Sequence, residues 1–168
     1  MPINWDNKMA RKLKENNDDD DSHTEVDPDV FHASQVGMCT RQLYLSKLGL
    51  KDFTPKVLGI FQTGTNIHEW IEEEFQDEMP GEFEKPLEYE DEETGLKFTG
   101  HCDYYDPEEE VVYDFKTRGS FYRLDPTDPQ EKYLDQLTVY MKMLGVKRAK
   151  LVYISKKNKQ IVHYPTEE

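Results

Sequence analysis

Asp114, Phe115 and Lys116 stand in a run that alternates as a strand does, and Gly100, His101, Cys102 and Asp103 precede them across an Asp106-Pro107 turn. Side chains on a strand repeat every two residues, so Asp114 and Lys116 project from one sheet face while Phe115 turns to the other, into the core. Pairing across the turn brings Asp103 to the same place as a second carboxylate. Two carboxylates held together repel unless a cation sits between them, and the set suits a hard divalent ion such as Mg²⁺ or Mn²⁺, with waters and phosphate oxygens as its remaining ligands. Lys116 beside them can hold an attacking water and offset charge on a phosphoryl group. That is the chemistry of phosphodiester hydrolysis. A lone Asp-x-Lys is far more often an ordinary ion pair on a strand, so the weight rests on the residues around it.

His68 falls on the stripe Ile60, Gly64, Ile67, His68, Ile71, Phe75, which has helical spacing. An imidazole on that inner face is either a satisfied core histidine or a further metal ligand. Gln136 and Tyr140 are four apart, neighbours on one helical face, and can present an amide and a phenol to a substrate. Arg41, in Cys39-Thr40-Arg41-Gln42-Leu43-Tyr44, is within reach of a phosphate or is a surface arginine.

These side chains need a scaffold, and the periodicities outline one. Helices are predicted over 34–48, stopped by Gly49, over 56–76, and over 130–144, stopped by Gly145. Strands are predicted over 83–90, 96–105 and 110–117 as an antiparallel meander, and over 149–155 and 160–164. A loop rich in Asp and Pro covers 119–129. The order of elements implies an α/β (α+β) fold, a mixed sheet flanked by helices. Residues 1–29 read as a flexible acidic arm, whose basic patch (Lys8, Arg11, Lys12, Lys14) suits a solvated tail better than a nucleic-acid contact. Residues 30–168 then form one domain.

The chain has 168 residues, with ten Tyr, eight Phe and two Trp, enough rings for a folded core, and a formal net charge of −14. Acidity argues against a nucleic-acid partner, since phosphate contacts come from Lys and Arg. The distribution says otherwise. Lys142, Lys147, Arg148, Lys150, Lys156, Lys157 and Lys159 form a basic stripe with no acidic residue among them. The excess acid also fits a surface adapted to high salt, a reading that sixteen Lys against five Arg does not favour. No apolar run is long enough to span a membrane and the start is polar, so the expectation is a soluble, cytoplasmic protein with no membrane partner. The two cysteines, Cys39 and Cys102, are too few for a zinc site or a disulfide scaffold, though enough for one bridge.

Taken in order, Cys39-x-Arg41-Gln42-x-Tyr44, His68, Gly100-x-x-Asp103, Asp114-x-Lys116 and Gln136-x-x-x-Tyr140 resemble the RecB-like branch of the PD-(D/E)xK nuclease superfamily. The likeness spans residues 34–144. Within that branch the chain is most similar to the CRISPR-associated RecB-like exonucleases that carry an iron–sulfur cluster. The resemblance implies a restriction-endonuclease-like core and a Mg²⁺ or Mn²⁺ site built from His68, Asp103, Asp114 and the Phe115 carbonyl. It makes Lys116, Asp114 and Asp103 catalytic and puts Gln136 and Tyr140 on the DNA side. Arg41, Lys147 and Arg148 are the further DNA contacts expected. The chain departs from those relatives after Tyr140, where further cluster cysteines would stand and none does, so no iron–sulfur cluster is expected. This favours a stand-alone DNA exonuclease of viral, recombination or repair type over a CRISPR role, with linear DNA as partner. The alternative is a catalytically weak nucleic-acid-binding accessory protein of the same fold. Some relatives act as rings around DNA, which leaves a homo-oligomer open.

Overall fold

The computed structural model describes residues 5–19, 29–50, 53–121 and 129–167. Helix α1 is Trp5–Asp19, strand β1 Val30–His32, and helix α2 Thr40–Lys47. Then come α3 (Pro55–Phe75), β2 (Glu82–Glu90), β3 (Lys97–Asp106), β4 (Val111–Arg118), α4 (Glu131–Leu144), β5 (Arg148–Ser155) and β6 (Ile161–Glu167). Helix α3 opens at Pro55, whose missing N–H costs nothing in a first turn. Helix α4 ends at Gly145, left-handed at φ 71°.

Strands β2, β3 and β4 form the expected antiparallel meander. Strand β5 lies parallel to β4, an arrangement that needs a long crossover, and α4 supplies it. Strand β6 turns back antiparallel to β5. The result is a mixed six-stranded sheet in the order β1-β3-β4-β5-β6, with β2 also paired to β3. It has the restriction-endonuclease-like plan.

Helices cover both faces. On one, Leu137, Tyr140 and Met141 of α4 pack with Leu87, Cys102, Val112, Ala149, Leu151 and Tyr153. On the other, Ile67, Trp70 and Ile71 of α3 pack with Phe83, Tyr113, Phe115, Val152 and Ile154. The near-continuous apolar run of β5 follows, because a central strand is buried on both faces. Ile60 and Phe75, assigned to the buried stripe of α3 by spacing, are exposed at its two ends.

Three segments depart from the sequence reading. The helix expected over 34–48 is a 3-10 turn, Ala33–Gln35, followed by a break and then α2. Gly37 takes φ 78°, and Cys39 is extended so that its Sγ accepts the Gln42 N–H at 3.4 Å, capping α2. Within the expected arm, residues 5–19 form α1, which lies along α3. Arg11 and Lys12 of its basic patch pair with Glu15 inside that helix. The Asp27-Pro28 part of the arm and most of the 119–129 loop lie outside the described residues. Strand β1 carried no usable signal in so short a span; it pairs parallel to β3. Cys39 and Cys102 are both free, the first exposed and the second buried. No described helix is long and apolar enough to cross a membrane.

Candidate active site

The site lies where the sheet divides. Along one edge β3 pairs with β2 over most of its length. On the other it pairs with β1 through Lys97, Phe98 and Thr99, and with β4 only through Tyr104, Tyr105 and Asp106. Between these, residues 100–103 have no strand partner on that edge, and their polar groups must be satisfied otherwise. The Asp103 carboxylate accepts the Phe115 backbone N–H across the gap. Tyr140 of α4 donates its hydroxyl to the freed His101 carbonyl at 2.7 Å. Gly100 makes that approach feasible, because a Cβ there would stand 3.1 Å from the Tyr140 ring and 3.2 Å from Ala33.

Alternation fails at the fork. Cys102 belongs to the α4-side core, yet Tyr104 stacks on Phe83 and Tyr113 of the α3 side. Across the ladder, Glu84 opposes Asp103 without a bridge between them and takes φ 44°. Asp103 therefore does not share the face of Asp114 by simple alternation. It sits at the divide, with its Oδ1 3.2 Å from Nδ1 of His68 on α3.

Asp114 and Lys116 point together to the α4 side, as the period of two requires. Lys116 Nζ is 2.8 Å from Asp114 Oδ1 and donates to Gln136 Oε1 at 3.2 Å. Gln136 Nε2 in turn donates to the Tyr140 hydroxyl at 2.8 Å. A chain of hydrogen bonds thus runs Asp114–Lys116–Gln136–Tyr140–His101 and ties α4 to the fork. Phe115 takes the opposite face, its ring 6.1 Å from that of His68.

Burial and crowding set the protonation of these groups. Asp114 is 1% exposed; desolvation lifts its carboxyl above the ordinary range and Asp103 adds to this, while Lys116 opposes it. Desolvation lowers the Lys116 ammonium, but Asp114 and Asp103 outweigh it and the net movement is upward. For His68, desolvation is again outweighed, here by the hydrogen bond and charge of Asp103 and the charge of Glu84, so its pKa rises. Glu84 is pushed up to about 7 by desolvation and then by Asp103. Sequence reasoning missed Glu84; counting back through the β2–β3 hairpin to the position opposite Asp103 finds it.

The donor set fits a hard divalent cation. The Oδ2 of Asp114 is buried without a hydrogen-bond partner, and ligand atoms of His68, Glu84 and Asp103 lie within 4.8 Å of one another. The oxygens and one imidazole are the ligands such an ion takes.

His68, Glu84, Asp103 and Lys116 open into a cleft of about 1030 Å³. Its walls are α3 (Ile60, Phe61, Thr65, Glu69), the break after β1 (Val36 to Cys39) and α4 (Lys132, Tyr133, Gln136). Of the basic stripe only Lys156 lines it. Lys142 of α4 lies over Tyr89, while Lys150 over Tyr113 and Lys159 over Trp70 lie on the α3 side, so the stripe is divided between the two faces of the sheet. Arg148 pairs with Val111 at the far end of β4, roughly 17 Å from the Lys116 rung, and its guanidinium is held by Glu109. Lys147 is its exposed neighbour, and Arg41 is exposed on α2; none of the three lines the cleft.

No protein-family model matches the chain, and no curated protein matches it. Solved structures do. A protein designated SSO0001 superposes with a TM-score of 0.72 at 19% identity, over 99% of this chain and 78% of that one. The alkaline exonuclease LHK-Exo of Laribacter hongkongensis superposes with a TM-score of 0.57 at 16% identity, over 82% of this chain and 77% of its own. The same enzyme in complex with dAMP gives 0.56. Similarity at this level establishes a shared fold.

Proposed function

We propose that the chain is a Mg²⁺- or Mn²⁺-dependent deoxyribonuclease, an exonuclease that hydrolyses phosphodiester bonds of linear DNA in processing, recombination or repair. The observation that carries this reading is the convergence of Asp103, Asp114 and Lys116 at the sheet fork, with Asp103 and Lys116 lining a cleft walled by Gln136 and Tyr133 and Asp114 buried behind them. Support comes from the shared fold with LHK-Exo, which is named an alkaline exonuclease and has been crystallised with dAMP.

Asp103, Asp114, His68 and the Phe115 carbonyl are the groups that would hold the cation. When bound, it polarises the phosphoryl oxygen and lowers the pKa of its water. The protein's own share is positional. Lys116, fixed between Asp114 and Gln136, offers a charged N–H to the phosphoryl oxygens where negative charge develops. Tyr140 and Gln136 hold α4 against the fork, and Lys132 and Lys156 face the DNA backbone from opposite walls. Arg41 meets the strand outside the cleft.

The test is digestion of end-labelled linear and closed-circular DNA in Mg²⁺, Mn²⁺ or EDTA across a range of salt. Metal-dependent loss of linear DNA with circles spared supports an exonuclease. Substrates left intact in every metal and salt would sink the proposal.

A further inference from the structure

We infer that Glu84 is a further ligand of the cation, forming with His68 and Asp103 a seat on the α3 side of the fork. The inference rests on the metal-bearing site proposed above and adds to it a residue outside every motif of the resemblance.

The seat is mixed, two carboxylates and an imidazole, and its ligand atoms already lie within 4.8 Å of one another. Ligands on adjacent corners of an octahedron with bonds of about 2.1 Å stand roughly 3 Å apart. The required contraction is small for a side chain at the cleft surface. His68 Nδ1 and Asp103 Oδ1 are 3.2 Å apart, the spacing of neighbouring ligands once the cation displaces the proton they share. Asp114 stands on the α4 side of the fork with Lys116 and Gln136. Its Oδ1 is committed to Lys116, while its Oδ2, buried in a residue 1% exposed, has no partner. The charges of Asp103 and His68 bear on it directly. Negative charge thus gathers on both sides of Asp103. The Lys116 ammonium is already bonded to Asp114 and Gln136, and that of Lys85 to Glu82. Among the described residues Glu84 makes no ion pair, although it faces Asp103 across an unbridged rung.

The test is a Mn²⁺ titration of the full chain, without DNA, followed by the electron paramagnetic resonance of free Mn²⁺, on wild type, Glu84→Gln and Glu84→Ala. Thermal melts in EDTA confirm that each variant folds. The expected result is Mn²⁺ binding by wild type and a rise in Kd of about tenfold or more in both variants. Unchanged affinity in either folded variant overturns the inference, as does a wild type that binds no Mn²⁺. The outcome separates from that of the nuclease reading. A protein that binds Mn²⁺ through Glu84 yet cuts no DNA keeps the seat and loses the nuclease. One that cuts in Mn²⁺ with affinity indifferent to Glu84 does the reverse.

Discussion

At the scale of single residues the fork concentrates charge that burial makes expensive, and this has a pH signature. The Asp114 carboxyl, 1% exposed, is raised by desolvation and by Asp103, and the more exposed Glu84 is raised to about 7 in the same sense. A carboxyl whose folded pKa lies above its unfolded value binds its proton more tightly in the native state. Stability is then lost as pH rises from the ordinary carboxylate range through about 7. In EDTA the melting temperature should be higher at pH 5 than at pH 8, and the gain from saturating Mn²⁺ should be larger at pH 8, where protons no longer compete. Scanning calorimetry at the two pH values checks both signs; a metal-free protein that melts higher at pH 8 contradicts them. With an imidazole among the ligands, Mn²⁺ should also bind more tightly than Mg²⁺, as isothermal titration will read.

At the scale of elements, α4 is fastened to the fork by a close approach and a buried hydrogen-bond chain. Gly100→Ala places a Cβ against the Tyr140 ring and Ala33 and should destabilise the protein by about 1–3 kcal/mol. Tyr140→Phe removes the donor to the His101 carbonyl and the acceptor for Gln136, which should cost about 1–3 kcal/mol. Urea unfolding measures both, and a loss near zero in either would show that α4 is held by packing alone. The elements were largely legible beforehand, because long helical stripes and alternating strands carry their own period: α3, α4 and β2 to β5 begin and end within a few residues of expectation. What was not legible has physical causes. Strand β1 is three residues long and is made a strand by its pairing with β3. Gly37 and Cys39 divide one apparent helix through backbone conformation, and α1 forms from a polar stretch by lying along α3. Asp114 and Lys116 share a strand face and Gln136 and Tyr140 a helix face, as their spacing implied, and the fold joins the two pairs through Lys116 and Gln136. Glu84 was hidden because alternation cannot announce a rung where it fails.

At the scale of the whole molecule, an acidic chain presents a short set of cations to its cleft. A run of Lys and Arg along the sequence suggested one basic face, but its members divide, Lys142 lying with α4 and Lys150, Lys156 and Lys159 on the α3 side. Lys132 and Lys156 remain on the cleft walls, with Lys156 Nζ donating to the Ile60 carbonyl at 2.9 Å. Lys132→Ala should lower DNA affinity and reduce the slope of log K against log salt by about one. Arg148→Ala, changed at the far end of β4, should leave that slope as it is. Fluorescence anisotropy in Ca²⁺ over several salt concentrations distinguishes these outcomes, and an effect of Arg148 equal to that of Lys132 would move the DNA path away from the cleft.

Whether the fork cuts phosphodiesters is read by single-turnover cleavage of linear DNA by Lys116→Met beside wild type, with both proteins saturated in Mn²⁺. Lys116 is a charged donor held by Asp114 and Gln136 at the cleft, so DNA binding should be retained and the cleavage rate lowered about 10²- to 10³-fold. A Lys116→Met protein that cuts at the wild-type rate would place the chemistry elsewhere and contradict the account.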